Sequence, residues 1–377
     1  MRIAQVVNKM VVLQVIARMN LGGTSKYLLK LNKELESIGI KSPIATGHVQ
    51  KGEIEDPDIK KIKPIRVEHL GRKISVINDL KAMKELYNLI LKLRPDIIHT
   101  HTFKAGFLVR VQRNKIEDKL NKKIRFIHTF HGHLFYDPEF NRLKRQIITW
   151  IERYLSRNTD QLITGGVNVK KDLEEKRIVG IIQTISIPPS VERLRVLPKK
   201  EALSKFKISD KFRFRVLWLA RVSKVKNPFM VVKIAKEIPE FDFYLVGGGN
   251  LLSKVKSLAP DNLKLLGWQN ISDVLSIADV FLSTSSNEGV PIAFIQAQLA
   301  GIPIIATNVG SVSEVVIHNK TGILCNNSTQ QIISALRMLE ANKNLRNNMS
   351  KAAKQSTAQN FSNKQFVDAH LRVYNFT

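Results

Sequence analysis

The stretch from Ser283 to Pro303, STSSNEGVPIAFIQAQLAGIP, marks a strand–loop–helix unit in this chain. The largely apolar residues 279–282 before it predict a β-strand. A loop rich in small polar residues follows, and the apolar run after that loop predicts a helix that ends at Gly301. Strands joined to helices by tight loops are the repeating unit of α/β sheets. The stretch therefore predicts an α/β fold for the second half of the chain.

The loop of this unit combines an acid with a helix start. Glu288 is followed by Gly289 and Val290, whose N–H groups are expected to lack helical partners. Pro291 is predicted at the first helical position, where no N–H is needed. Such a helix start favours a bound anion. The loop therefore predicts a phosphate site with a carboxylate next to it.

Strand-like runs and amphipathic helical runs alternate in two blocks along the chain, which predicts two doubly wound parallel sheets. Pro188-Pro189 interrupts the first block, and the charged connector Glu192–Asp210 precedes the second. We predict a first domain over 1–190, a second over 191–360 and a last helix within 361–377. Ligands of such sheets bind outside the carboxyl ends of the strands, here expected at the cleft between the two domains.

One irregularity lies at the start of the chain. The sequence Gln5–Met10 is nearly repeated as Gln14–Met19, and only the second copy leads into a pair of glycines. We predict that the second copy contributes to the first strand and that the first copy has no partner in the sheet.

The composition limits the classes of protein to which this chain can belong. Its 377 residues, 44% of them hydrophobic, are enough for two separate cores. Its one cysteine, Cys325, excludes an internal disulfide. No apolar run approaches the ~20 residues of a membrane span, and no secretory cleavage site is recognisable near the start. We therefore expect a cytoplasmic protein.

The net charge of +28 predicts a polyanionic partner, which could be nucleic acid, an anionic lipid surface or a phosphorylated substrate. The charge is spread over the chain, with dense regions at 104–125 and 142–157. These basic stretches lack the interleaved aromatic residues that nucleic-acid binding favours, so we expect no nucleic-acid partner. The alternative is a solvated basic surface without a specific partner.

Other candidate binding loops also follow predicted strands. Gly22 and Gly23 open the first predicted helix, where glycine permits close approach to a ligand and Thr24 or Ser25 can supply the cap. A structural turn explains this loop equally well.

Two basic residues, Arg221 and Lys226, follow a strand in the second half. Paired cations at a strand end suit a diphosphate, whose charge they can stabilise as it develops. Gly248 and Trp268 come after the next two strands, in loops that alone are ordinary turns.

Five histidines lie between residues 99 and 133: His99, His101, His128, His131 and His133. They fall at the ends of two strands and so can meet at one edge of the sheet. Zinc is one interpretation of such spacing. No cysteine accompanies the histidines and the only nearby acids are Asp137 and Glu139, so we predict no metal site here.

The segments Glu288–Ala300, Arg221–Lys226 and His99–His133 resemble the motifs of glycosyltransferase family 4, retaining enzymes of the GT-B fold. The resemblance extends from about Val11 to Tyr374 and implies two Rossmann-like domains that face a central cleft. It also implies that the last helix returns to the first domain. A second glutamate is usual in the family where this chain has Gln296.

The resemblance implies a nucleotide sugar, UDP-linked, as donor and a glycan or lipid-linked acceptor. The catalytic residues that it implies are Glu288, His131, Arg221 and Lys226. The implied donor-binding residues are Gly22, Gly23, Gly248, Trp268, Gly289, Val290, Pro291 and Gln296. Glu288 would bind sugar hydroxyls, Gln296 the ribose and His131 the donor sugar. His101 and Lys104 are implied on the acceptor side.

No metal or other cofactor is expected, because two cations and the helix amides can neutralise the diphosphate. Asp56-Pro57-Asp58 matches the Asp-x-Asp pair with which glycosyltransferases of the other major fold hold a divalent cation. No apolar strand precedes it, so we predict a solvated charged turn.

Enzymes of the family often use lipid-linked acceptors at the inner membrane face. The predicted helix at 143–155 is bordered and interrupted by five cations: Arg142, Lys144, Arg145, Arg153 and Arg157. Its apolar residues, Leu143, Ile147, Trp150, Ile151 and Tyr154, are expected to face the core in part. We therefore expect peripheral, electrostatic binding to an anionic membrane without insertion.

Three other functions stay open at this point. The first is a catalytically impaired binding protein of the same fold, and the second is a sugar-nucleotide epimerase or hydrolase with paired Rossmann-like domains. The third, a nucleic-acid-binding protein, is favoured only by the charge.

Overall fold

A computed structural model describes residues 10–138, 140–192, 194–209 and 213–375. It divides into two compact units, the first formed by Met1–Ser190 with Lys364–Thr377 and the second by Val191–Asn363. The first copy of the near-repeat, Gln5–Met10, lies outside the described residues except for Met10. None of the described helices is both long and apolar enough to cross a bilayer.

The first unit is built on a parallel sheet with the order β3-β2-β1-β4-β5-β6-β7. Its strands are β1 Val12–Ile16, β2 Ile44–Thr46, β3 Ile65–Arg66, β4 Ile97–His101, β5 Arg125–Phe130, β6 Gln161–Thr164 and β7 Ile182–Ser186. Its helices are α1 Gly23–Ser37, α2 Ile59–Ile62, α3 Val76–Leu93, α4 Phe103–Arg110, α5 Arg113–Leu120, α6 Arg142–Ser156 and α7 Val167–Glu175. A 3₁₀ turn spans Leu134–Tyr136.

Helices cover both faces of this sheet, so its inner strands are buried on both sides and mostly apolar. In β1, Leu13 and Val15 pack in one core cluster while Val12 packs in another with α1, as the alternation of a strand requires. Gln14 is the polar exception, fully buried on the same face as Val12. It lies opposite His99 of β4 in the parallel register.

The second unit has a parallel sheet with the order β10-β9-β8-β11-β12-β13. Its strands are β8 Arg215–Leu219, β9 Asp242–Val246, β10 Leu263–Gly267, β11 Val280–Ser283, β12 Ile304–Thr307 and β13 Gly322–Cys325. Its helices are α8 Lys199–Lys205, α9 Pro228–Glu237, α10 Leu252–Leu258, α11 Ile271–Val274, α12 Ile292–Leu299, α13 Thr329–Ala341 and α14 Lys343–Asn360. Short 3₁₀ turns span Lys224–Lys226, Leu275–Ile277 and Val312–Glu314.

The last helix, α15 Asn363–Val373, packs in the first unit. Phe366, Val373 and the adjoining Tyr374 join the core cluster that contains Tyr27 of α1. Burial of these aromatic and aliphatic side chains accounts for the attachment of the chain terminus to the first sheet.

In both sheets the direction in which successive strands are added reverses once. The reversal lies between β1 and β4 in the first sheet and between β8 and β11 in the second. In open α/β sheets, ligands bind at such a switch point, outside the carboxyl ends of the strands. Each unit therefore has one favoured ligand position, and the loops that follow these strands are the candidates for it.

Helix α6 differs from the expectation drawn from its sequence. Leu143, Ile147, Trp150 and Tyr154 face solvent, and the buried side is formed by Ile148, Glu152, Leu155 and Ser156. Glu152 is tolerated inside because the Arg110 guanidinium lies 2.8 Å from each of its carboxylate oxygens, which compensates the buried charge.

Candidate functional site

Glu288 lies in the loop after β11, at the switch point of the second sheet. Its Oε1 accepts hydrogen bonds from Lys226 Nζ at 2.5 Å and from Ser285 Oγ at 2.6 Å. The Glu288 side chain is only 10% exposed, and that of Lys226 is 22% exposed. Because one carboxylate oxygen takes both bonds, the other is left to receive a ligand.

The backbone after Glu288 provides two N–H donors. Within the part of the chain that the structure describes, the amides of Gly289 and Val290 donate to no protein acceptor. Pro291 follows with φ −80° and ψ 113° and is the N-cap of α12, not its first helical residue as predicted. The two free amides therefore precede the helix, at the end where its dipole attracts an anion.

A network of hydrogen bonds fixes the Lys226 loop to the Glu288 loop. Thr284 Oγ1 donates to the carbonyl groups of Lys226 and Asn227, each at 3.0 Å, and accepts a bond from the buried Trp218 Nε1. The backbone that carries the Lys226 ammonium group is thus fixed by residues of β8 and of the loop after β11. Arg221 precedes it in the same loop and is partly exposed.

Gln296 and Gln298 both lie on α12 but have different roles. Gln298 is fully buried and bonds Thr321 Oγ1 at 2.9 Å and Thr357 Oγ1 at 2.6 Å, so its amide is used by the fold. Gln296 is partly exposed, and its side chain makes no hydrogen bond within the described residues. Of the two, only Gln296 has an amide available for a ligand.

The loop after β9 approaches the loop after β8 closely. Gly247, at φ +131°, has no room for a side chain, because a Cβ there would lie 2.0 Å from the Ala220 carbonyl oxygen. A Cβ on Gly248 would lie 2.4 Å from the indole nitrogen of Trp268. Trp268 is 38% exposed, so one part of its ring covers the glycine and another part remains accessible.

In the first unit, Gly22 precedes α1 and Gly23 is its first residue, at the switch point after β1. Gly22 is the N-cap, and no side chain caps the helix, so the expected cap from Thr24 or Ser25 is absent. Ser25 Oγ donates to the Asn20 carbonyl oxygen instead, at 2.7 Å. A Cβ on Gly22 would meet only distant atoms of Asn20, so the glycine leaves open space beside the helix start.

His101 and His131 meet at the ends of β4 and β5, with His101 Nδ1 and His131 Nε2 3.0 Å apart. His101 Nε2 lies 2.7 Å from Gln14 Oε1, which can only accept, so this nitrogen carries the proton. Neutral His101 then accepts at Nδ1 from the N–H of His131 Nε2. His131 is left with Nδ1 as an acceptor, which suits a sugar hydroxyl group.

Burial keeps these rings neutral at physiological pH. It lowers the pKa of His131 to about 3 and that of His101 well below its usual range. His101 is fully buried and both its ring nitrogens are bonded within the protein. No face of the ring is accessible in this structure, so its contacts are those of a positioning residue, and its contact with an acceptor stays a prediction.

A second layer supports the histidine pair from the last helix. Tyr374 Oη lies 2.7 Å from His99 Nδ1, and His99 Nε2 lies 2.6 Å from Thr129 Oγ1. Tyr27 packs edge-on against the His131 ring, 4.8 Å between centroids, and its hydroxyl bonds His370 at 3.0 Å.

Tyr27, His370 and Tyr374 carry no local sequence signal of their contacts with these histidines. The one available signal was a polar residue, Gln14, at the centre of the apolar strand VLQVI.

Lys104, the second residue expected on the acceptor side, is used by the fold. Its Nζ lies 2.5 Å from Asp79 Oδ1 and also bonds the Lys73 carbonyl oxygen, and its side chain is 13% exposed. These contacts tie α4 to the start of α3. Contact with an acceptor would require Lys104 to exchange at least one of them.

The candidate metal ligands are engaged within the protein. Lys26 Nζ bonds Asp56 at 2.9 Å and Asp58 at 2.8 Å, and Asp56 is fully buried, so the expected solvated turn is wrong for Asp56. His133 Nδ1 lies 2.5 Å from Asp172. Among the described residues, no group of three or more His, Cys, Asp or Glu has the geometry of a metal site.

Comparison with known proteins relates both units to sugar-transferring enzymes. Residues 199–356 match the family model described as glycosyl transferases group 1. Residues 21–187 match the model described as glycosyltransferase family 4. The chain is 30% identical over 345 residues to an Escherichia coli UDP-Gal:alpha-D-GlcNAc-diphosphoundecaprenol alpha-1,3-galactosyltransferase, covering 86% of this chain and 87% of that protein.

Solved structures share the fold at lower identity. Sucrose-phosphate synthase from Thermosynechococcus elongatus superposes with a TM-score of 0.81 at 18% identity, over 97% of this chain and 98% of that one. Anabaena HepE in complex with UDP-glucose superposes with a TM-score of 0.79 at 14% identity, over 98% and 100%. The predicted α/β class with two Rossmann-like sheets, the GT-B fold, is confirmed.

Proposed function

Since the chain belongs to glycosyltransferase family 4, the group 1 glycosyltransferases, we propose that it moves a sugar from a UDP-linked donor to a lipid-linked or glycan acceptor with retention. The product would belong to a cell-surface polysaccharide or glycolipid. One observation carries the proposal: the free amides of Gly289 and Val290 lie next to the Glu288–Lys226 pair at the switch point of the second sheet.

The proposed roles follow from the chemistry of each group. The Gly289 and Val290 amides receive the β-phosphate, and Arg221 and Lys226 stabilise the charge that grows on the diphosphate as it leaves. The second oxygen of Glu288 accepts a hydrogen bond from a sugar hydroxyl group. Gln296 meets the ribose, and the loops with Gly248 and Trp268 flank the base.

For the first unit we propose two contacts with the donor. Gly22, beside which there is open space, and Gly23 at the first position of α1 are proposed to allow close approach of the donor. His131 accepts a hydrogen bond from a sugar hydroxyl through Nδ1, the nitrogen that His101 leaves unprotonated. Lys104 is the remaining candidate on the acceptor side, on condition that its bond to Asp79 exchanges.

UDP as the nucleotide has support from the printed names of similar proteins. The Escherichia coli relative uses UDP-Gal, and the HepE structure holds UDP-glucose. A lipid-linked acceptor has the same kind of support, since the Escherichia coli relative acts on a diphosphoundecaprenol-linked sugar. We propose further that an anionic membrane surface attracts the basic first unit, and that no metal ion takes part because two cations and two amides offset the diphosphate charge.

The test is a panel of nucleotide sugars scored first for thermal stabilisation of the protein and then for transfer. We expect UDP sugars to stabilise the protein more than GDP or ADP sugars. Transfer is measured with a lipid-linked acceptor, and the anomeric coupling constant of the product gives the stereochemistry. No stabilisation by any nucleotide sugar would contradict the proposal, and an inverted anomeric centre would contradict retention alone.

A second function is favoured by one residue. Gln296 replaces the usual glutamate and can offer only a neutral amide to the ribose, which weakens that contact. A binding protein of the same fold with little or no turnover would retain the stabilisation by UDP sugars. The absence of transfer across a broad panel of acceptors would favour it.

A further inference from the structure

The first unit exposes large apolar side chains to an extent that the second does not. Leu143, Ile147, Trp150 and Tyr154 of α6, hereafter the apolar row, are 64%, 50%, 70% and 52% exposed. In the described part of the second unit, no large apolar side chain is more exposed than Met338, at 43%. Contiguous exposed apolar surface of this kind marks an interaction site.

The apolar row is a continuous feature of one helix face. Its members are spaced by four, three and four residues, which places them along one line on the surface of an α-helix. Leu155 and Ile148 lie on the opposite, buried side. The side chains of the apolar row therefore do not contribute to the hydrophobic core.

A pocket of about 610 Å³ lies beside the apolar row, with Trp150 in its wall. Four cations also line this pocket: Arg142, Arg145, Arg153 and Lys176. None of the described residues that line it is acidic. The pocket is therefore complementary to an anion that carries more than one negatively charged oxygen.

The protein holds these cations without neutralising them. Arg145 Nη2 donates to the Asp137 carbonyl oxygen at 2.9 Å, while its Nε is buried without a partner. Arg153 Nε donates to the Lys176 carbonyl oxygen at 2.7 Å. Arg142 forms no hydrogen bond or ion pair within the described residues. Carbonyl partners fix the position of a guanidinium and leave its charge available.

An aromatic wall completes the pocket. Lys176 Nζ lies 5.1 Å from the ring centroid of Tyr136, and Phe140 and Phe135 also line the space. Glu175 accepts a hydrogen bond from the Tyr136 hydroxyl at 2.9 Å, which fixes that ring in the wall. Aromatic rings next to cations are typical of surfaces that meet the boundary between water and lipid.

We propose that α6 and its pocket bind an anionic phospholipid in a bilayer, with the lipid phosphate among the four cations and the apolar row inserted at the interface. A lipid is the occupant that explains both features, because a dissolved phosphate would leave the apolar row without a partner. The proposal deepens the membrane association within the proposed function. It replaces attachment by charge alone with attachment by charge and shallow insertion.

The apolar row is tested with the full chain and sedimented vesicles of phosphatidylcholine with or without phosphatidic acid. We expect wild-type protein to bind the anionic vesicles, less strongly but still measurably in high salt. Trp150→Ser should lower the partition coefficient about tenfold at low salt and abolish binding in high salt. The matched control Met338→Ser, an exposed apolar residue of the second unit, should bind as wild type.

The pocket is tested by comparing phosphate with carboxylate at equal surface charge. Vesicles made anionic by oleic acid should bind the wild-type protein less well than those with phosphatidic acid. Arg142→Gln should weaken binding to phosphatidic acid about fivefold and remove the preference over oleate. Lys236→Gln, on the exposed face of α9, is the matched loss of one charge and should keep the preference.

Tryptophan fluorescence tests whether Trp150 of the apolar row inserts into the bilayer. The chain has three tryptophans, of which Trp218 is 2% exposed and Trp268 is 38% exposed. Lipids brominated on the acyl chain should quench Trp150, and the quenching should vanish in Trp150→Ser.

Three results would overturn the proposal: equal binding of Trp150→Ser and wild type in high salt, no phosphate preference, or loss of binding in Ile77→Ser but not in Trp150→Ser. Ile77 belongs to a separate exposed apolar group at the start of α3 and is 69% exposed. UDP binding in the absence of vesicles reports on the proposed function independently, so failure of the membrane proposal and failure of the transferase proposal are distinguishable.

Discussion

Glu288→Gln should change the binding of UDP and the transfer of sugar in opposite directions. In the structure, Lys226 is occupied by Glu288, although its proposed role is to neutralise the diphosphate. UDP must therefore compete with the carboxylate for the same ammonium group. The amide of glutamine keeps the shape of the side chain and removes the charge, so Lys226 becomes available to the phosphate.

The size of the effect follows from the geometry of the pair. The Nζ–Oε1 distance is 2.5 Å, but the Lys226 and Glu288 side chains are 22% and 10% exposed, so solvent screens part of the attraction. A pair of this kind contributes about 1 kcal/mol, above the median for exposed pairs and below that for fully buried ones. Release of Lys226 should therefore tighten UDP binding about fivefold. Transfer should fall by at least about a hundredfold, because the sugar hydroxyl loses its charged acceptor.

Isothermal titration with UDP measures the first effect, and initial transfer rates from the preferred UDP sugar measure the second. Lys226→Met provides the control: in that background, Glu288→Gln should give no gain in UDP affinity, because the competing cation is gone. Weaker UDP binding by folded Glu288→Gln would refute the reasoning, since it would mean that the carboxylate supports the nucleotide itself. Transfer at the wild-type rate would remove Glu288 from the reaction.

The other predictions concern the ribose, the metal, the histidine pair and acid. Gln296→Glu should keep or raise UDP affinity, up to about fivefold, because a carboxylate accepts both ribose hydroxyl bonds more strongly. A large loss of UDP affinity, measured by titration, would mean that this face of α12 does not contact the ribose. EDTA should leave the transfer rate unchanged, and activity that returns only with Mg²⁺ or Mn²⁺ would contradict this. ¹⁵N NMR should show His131 protonated at Nε2, and Gln14→Leu should weaken that tautomer preference and lower kcat more than it alters KM. His99, His101, His131 and His370 have folded pKa values below the unfolded value, so unfolding takes up protons below about pH 6.5; chemical denaturation should show stability falling by about 1.4 kcal/mol per unit of decrease in pH for each such histidine.

Local sequence patterns were enough to place the strand and helix that flank Glu288 in the second unit. The strand predicted at 279–282 is β11, Val280–Ser283, and the helix predicted to end at Gly301 is α12, Ile292–Leu299. These elements carry strong local signals, a proline start and apolar runs bounded by polar residues. The Glu288 loop could be placed for the same reason, because a strand, an acid, a glycine and a proline follow one another within a few residues.

The histidine pair of the first unit depends on contacts between distant parts of the chain. His101 could be placed at a strand end, but its partner Gln14 is 87 residues away and becomes adjacent only through the parallel pairing of β1 with β4. Tyr374, which bonds His99, is 275 residues away. No local periodicity reports such pairs. Direct contact with a ligand was therefore expected of a histidine that the fold encloses.

The orientation of α6 shows why an amphipathic pattern alone could not identify the buried face. Rotation to bury the apolar row would expose Ile148 and Leu155 and would break the Arg110–Glu152 pair, in which both side chains are fully buried. Loss of one partner from such a pair costs about 3–5 kcal/mol, because the other charge is left uncompensated. Arg110 also donates from Nε to the Gly106 carbonyl oxygen at 3.1 Å, so its position is fixed within α4 as well as by Glu152. The buried ion pair thus selects the helix face that packs on the core, and the larger apolar face, with Trp150, is left exposed to solvent.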